Sequence, residues 1–219
     1  MSVVRAAIRG FGELLITAGI VLMLFVVYQL YWTGVGANRA MDQARQQLEQ
    51  QWQSGSDLPA PTGEAFALMY VPRFGSDWGS KPIFEGIDPL TLRKGLGHYT
   101  GTAMPGELGN FAVAGHRTTY GQPFHNADDL EPGNSIYVRT RDTWYEYRVR
   151  SQEIVSPDAL DVTWAVPQVR NSRPTKRLLT LTTCHPKFSD RQRLIVYAEL
   201  ESTRNVSDGP PPGLVSGKA

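Results

Sequence analysis

A mainly β domain, either a closed barrel or a sandwich, held behind one N-terminal membrane helix is the architecture the sequence predicts. Three observations carry it. One long uncharged apolar stretch, Leu14 to Trp32, stands near the N-terminus. Short β-like runs separated by turn residues fill the chain from Glu64 to Ser202. Breaker-rich or aperiodic segments flank that region on both sides.

The first element is the stretch LLITAGIVLMLFVVYQLYW, with no charge and one amide, Gln29. As a helix it spans about the 30 Å of a bilayer core. Tyr28, Tyr31 and Trp32 crowd its end, where an interfacial aromatic belt belongs. Arg5 and Arg9 precede it, against one acid, Glu13. The positive-inside rule puts that end in the cytoplasm and the bulk of the chain outside. A cleaved signal peptide is the rival reading, with Val35-Gly36-Ala37 as the small-residue site. The length of the apolar core favours an uncleaved anchor over residues 1–35.

Residues 36–63 read as a polar stalk and linker. Asn38 to Gln53 is rich in Gln, Ala, Arg and Glu, good helix formers with sparse apolar positions, so it predicts a helical stalk or a flexible tether. Ser54 to Gly63, SGSDLPAPTG, is a linker by composition. Residues 203–219 carry the run Asp208-Gly209-Pro210-Pro211-Pro212-Gly213 and no apolar periodicity, which predicts a disordered tail.

The region 64–202 holds sixteen basic and sixteen acidic side chains, so no strongly charged partner is implied and a nucleic-acid binder is disfavoured. Strands are expected at Ala65–Val71, Phe111–Ala114, Ser135–Arg139, Trp144–Val155, Leu178–Thr183 and Leu194–Leu200, with one helical patch at Asp88–Lys94. The chain has a single cysteine, Cys184, which excludes an internal disulfide and a Cys-rich metal site.

That cysteine ends a β-like run in Thr180-Leu181-Thr182-Thr183-Cys184-His185-Pro186, where Pro186 disfavours further strand. A buried inert thiol is the bland reading. Two other residues argue for chemistry. His116 closes the apolar run Phe111 to Gly115, so it too sits at a strand end. Arg193 follows Cys184 by nine residues and opens the run Leu194 to Ala198. A hairpin through Lys187–Gln192 returns Arg193 beside Cys184, with Arg191 as its rival. His185 abuts Cys184, but adjacent residues of a strand face opposite ways, which makes it a poor partner for the thiol. His125 reads as a loop residue and His98 as core or surface filler. A thiol, an imidazole and a fixed cation together supply a nucleophile, a proton carrier and an oxyanion partner.

These residues resemble the sortase family of membrane-anchored cysteine transpeptidases. The motif Thr180-Leu181-x-Thr183-Cys184, an arginine nine residues on and the segment Ala112-Val113-Ala114-Gly115-His116 carry the resemblance. Gly97-His98-Tyr99, Ala114 to Gly121 and Cys184-His185-Pro186-Lys187-Phe188 are most similar to the actinobacterial class E branch. The resemblance implies a closed β-barrel of about eight strands. It implies cleavage of an LPxTG-type sorting signal between Thr and Gly, with LAxTG favoured, through a thioacyl intermediate on Cys184. A peptidoglycan amine would then accept the secreted protein. His116 would handle protons and Arg193 the oxyanion or substrate carbonyl. Thr183, with Thr182 and Tyr99, would line the substrate. No metal or cofactor is implied. A cysteine protease or amidase using water, and a non-catalytic surface-binding β-domain, are the alternatives.

Overall fold

The computed structural model describes residues 2–55 and 61–215, with the side chains of residues 2, 29–33 and 215 outside the described set. Eight strands close into one barrel in the order β1-β2-β3-β4-β7-β8-β6-β5. They are β1 Ala65–Tyr70, β2 Ser80–Glu85, β3 Leu96–His98, β4 Gly109–Ala114, β5 Ser135–Arg139, β6 Thr143–Val155, β7 Arg177–His185 and β8 Gln192–Asn205. Two neighbouring pairs, β2/β3 and β4/β7, run parallel and the rest antiparallel.

Six of these strands fall on the expected runs. The two others, β2 and β3, carry no sequence signal that stands out. β2 contains Lys81 and Pro82, and β3 is three residues long with a central glycine. Only the closed ladder gives them partners. Alternate residues of the strands fill the interior: Phe111, Val113, Leu179, Leu181, Val196 and Tyr147 are fully buried together. Burying such a side chain contributes about 1.5–3 kcal/mol. The expected helical patch is a single turn, α2 Pro89–Leu92. The Asp88 side chain caps it, accepting from Leu90 N at 3.0 Å and Thr91 N at 3.2 Å.

One expectation is corrected. The tail does not lose structure at Thr203. β8 continues to Asn205, where Thr203, Arg204 and Asn205 pair with Tyr145, Trp144 and Thr143. A short turn of helix follows at Pro212–Val215. The ladder of β6 supplies hydrogen-bond partners that the sequence of the tail does not reveal.

Of the two forms expected for the stalk, the helix is the one present. One helix, α1 Ser2–Ser54, runs from the apolar stretch through the polar segment. Val3–Tyr28 is long and apolar enough to cross a membrane, with none of it buried against the protein. Tyr31 and Trp32, expected in the aromatic belt, have side chains outside the described set, as do residues 56–60 of the linker. Past the apolar stretch, Ala37, Met41 and Leu48 are buried against the barrel. Arg139 of β5 lies over the Trp52 ring at 4.9 Å. Gly121, with φ +76°, sits where a Cβ would come within 2.4 Å of Met41 Cε. The stalk half of α1 thus touches the loop that follows His116.

Candidate active site

The candidate site forms where β4 and β7 end side by side and β8 begins. Leu179 and Leu181 point into the barrel, so Thr180, Thr182 and Cys184 share its outer face. β8 is antiparallel to β7, with Cys184 directly opposite Arg193. Cross-strand partners share a face, so the guanidinium stands on the same side as the thiol. β4 is parallel to β7, with Ala112 level with Thr180 and Ala114 level with Thr182. β4 ends at Ala114 and the last rung runs from Gly115 N to the Thr182 carbonyl, so His116 follows just beyond the ladder, near the end of β7 that carries Cys184. The two ladders therefore pair Cys184 with Arg193 and bring the chain end that leads to His116 beside them.

Cys184, His116 and Arg193 are all half-buried, whereas Arg191 is exposed and His185 lies on the opposite face. The Arg193 Nη1 donates to the carbonyls of Asp190 at 2.8 Å and Gln192 at 3.0 Å. These bonds stiffen the side chain and leave its Nε and Nη2 without an acceptor among the described residues.

His116 is framed by a short stack. The Tyr120 ring lies 4.9 Å from the imidazole, and the Arg93 guanidinium sits 5.3 Å from the Tyr120 ring. α2 ends at Arg93, so the capped turn delivers that charge. Burial, and then the nearby Arg93 charge, hold His116 below the ordinary histidine pKa. Its neutral form, able to accept a proton, is favoured. Replacing Arg93 by glutamine removes a charge that opposes the imidazolium. The His116 pKa is then expected to rise yet stay below the ordinary value, because burial remains. NMR titration of the histidine rings reads this directly, and a fall would contradict the assigned cause.

The secondary set divides. Tyr99 Oη lies 3.0 Å from Thr182 Oγ1, on the Cys184 face. Thr183 instead donates its hydroxyl to the Gly115 carbonyl at 2.8 Å and is buried between β7 and β4. That bond occupies the Thr183 proton and leaves only its backbone to face an oxyanion. The long connection from β6 to β7 is tied over the same outer face by Asn110. Its amide donates to the carbonyls of Val162 at 3.0 Å and Trp164 at 3.1 Å, and accepts from Thr180 at 2.7 Å. A buried amide so satisfied costs little. Leu160, Trp164 and Val169 of this connection stay exposed.

The other histidines are structural. His98 is buried, with Glu85 at 2.6 Å, Thr102 at 2.8 Å and the Ala103 carbonyl at 3.2 Å. His125 donates to the Arg117 carbonyl at 3.1 Å. Arg117 was not among the residues singled out in the sequence. It is 2% exposed and its Nη1 reaches the Cys184 carbonyl at 3.2 Å. The only hint was its place beside His116 at a strand end.

A family model described as the sortase domain matches residues 69–201. The chain is 39% identical over 220 residues to sortase SrtE1 of Streptomyces coelicolor; this covers 96% of the chain but only 62% of that protein's length. Sortase E from Streptomyces avermitilis superposes with a TM-score of 0.64 at 42% identity, over 70% of this chain and 99% of that one. Sortase E1 from S. coelicolor, solved with a tripeptide in the active site, superposes with a TM-score of 0.64 at 37% identity, over 72% of this chain and 99% of that one.

Proposed function

The chain belongs to the sortase family, and from that premise we propose that it is a membrane-anchored cysteine transpeptidase acting on sorting signals of secreted proteins. The observation that supports this is the register that sets Cys184 opposite Arg193 at the end of β7, beside the β4 end that leads to His116. The tripeptide bound in the active site of the S. coelicolor relative supports a peptide substrate. LAxTG is the favoured signal and a peptidoglycan amine the acceptor. α1 supports a single-pass anchor, with Arg5 and Arg9 in the cytoplasm and the barrel outside.

In this reading His116, held toward its neutral form, takes the Cys184 proton. The thiolate attacks the Thr carbonyl carbon, and the developing oxyanion faces the Arg193 guanidinium. The tetrahedral adduct collapses, the Thr–Gly bond breaks, and His116 returns the proton to the departing Gly amine. A thioester to Cys184 remains. The acceptor amine attacks it, passes a proton through His116 to the sulfur, and leaves as a new amide.

The test is a peptide panel on the full chain in detergent. LAxTG and LPxTG peptides are incubated with and without glycylglycine, and products are read by mass spectrometry. The expected result is faster cleavage of LAxTG and a ligated product with the amine. Faster LPxTG cleavage would overturn the signal preference. Free acid alone, with amine present, would indicate a protease. No cleavage of either peptide would favour a binding domain.

A further inference from the structure

We propose that Arg117 is a positioning residue that fixes the Cys184 strand end against the His116 strand end, an inference that rests on the transpeptidase reading above. The parallel ladder of β4 and β7 runs up to Gly115 N, which donates to the Thr182 carbonyl at 3.1 Å. Its next rung would run from the backbone N–H of residue 117 to the Cys184 carbonyl, because the rungs recur every two residues. The chain turns away after Gly115 and that backbone bond is not made. The Arg117 side chain takes its place, with Nη1 donating to the Cys184 carbonyl at 3.2 Å. The substitution frees His116 from the ladder yet keeps the two strand ends a fixed distance apart.

The rest of the guanidinium anchors this rung. Nη2 meets Asp128 Oδ2 at 2.8 Å, and Lys187 lies 3.7 Å from the other oxygen of the same carboxylate. Nη1 also meets His185 Nδ1 at 3.1 Å. An arginine can only donate, so Nδ1 accepts and His185 carries its proton on Nε2. That commits the Nδ1 of His185 to Arg117, behind the nucleophile. The backbone carbonyl of Arg117 accepts from His125. Arg117 Nε is buried with no acceptor among the described residues. A buried cation with an unpaired N–H is a weak stability device, since an apolar residue of similar volume often serves the fold as well. Its placement is better explained by the geometry it imposes on Cys184 and His116.

The test uses the full chain in detergent and three variants, Arg117→Met, Arg117→Lys and Asp128→Asn. Turnover of an LAxTG peptide is normalised to folded protein by circular dichroism. The alkylation rate of Cys184 by iodoacetamide is measured from pH 5 to 9. Arg117→Met is expected to lower kcat about a hundredfold with KM little changed, since a small misplacement of reacting groups costs about that much. Its alkylation is expected to slow several-fold at pH 7, because the strand end that presents the thiol is no longer fixed. Arg117→Lys should recover part of both effects, reaching one acceptor but not the fork of two. Asp128→Asn, at a partly exposed position, should shift both readouts the same way but less, and it decides the matter if Arg117→Met does not fold. Lower melting temperature with kcat per folded molecule and alkylation unchanged would make Arg117 a strut only and overturn the proposal. If the parent chain turns over no peptide, the transpeptidase reading fails, and the alkylation profiles alone decide whether Arg117 sets the Cys184 environment.

Discussion

Replacing Cys184 by alanine is expected to remove turnover of a sorting peptide by at least about a thousandfold and to leave the barrel intact. A cysteine thiol is far more nucleophilic at neutral pH than the Thr180 and Thr182 hydroxyls on the same face, so neither inherits its role. The side chain is small, half-buried, near a strand end and in no disulfide. Stability should change by no more than about 1 kcal/mol. Circular dichroism and thermal melting check the fold, and peptide cleavage followed by chromatography checks the rate. Retained turnover in a folded variant would remove Cys184 from the chemistry.

Replacing His116 by alanine is expected to lower kcat by about a hundredfold to ten-thousandfold, the usual range for a lost acid–base group. The imidazole follows the end of β4, which lies beside the Cys184 end of β7, and its neutral form is favoured by burial and by Arg93. His185→Ala should cost far less, because His185 lies on the opposite face with Nδ1 committed to Arg117. Rate measurements on the two variants at equal folded concentration separate them. A larger loss at His185 would contradict the face assignment. Arg193→Ala should lower kcat by about a hundredfold to a thousandfold through loss of the oxyanion partner. Arg191→Ala, at an exposed position outside the cross-strand pair, should stay within about twofold.

How much of this was legible in the chain follows from the physics of each feature. Cys184, His116 and Arg193 could be found because each ends or begins an apolar run, and strand ends are where side chains meet a groove. The nine-residue spacing from Cys184 to Arg193 also predicted a hairpin, and the observed register makes them direct partners. β2 and β3 could not be found, since a lysine, a proline and a central glycine hide strands whose order comes from their neighbours. The docking of α1 was hidden for another reason. Ala37, Met41, Leu48 and Trp52 are spaced by four, seven and four residues. That is one narrow stripe on a helix, too thin among the glutamines and arginines to announce a packed face. Thr203–Asn205 look like tail because their partners lie in β6, more than fifty positions earlier in the chain. Arg117 is not legible in the sequence because a buried arginine cannot be told from a solvated one there. Only the Cys184 carbonyl beside it gives it a task.

The most direct test of the central claim is the intact mass of the full chain after brief incubation with an LAxTG peptide and no added amine, quenched in acid. The account predicts one adduct, equal to the peptide acyl group ending in Thr, located on Cys184 by fragmentation and released by hydroxylamine. Consumption of the peptide with no adduct, or an adduct on any other residue, would contradict it.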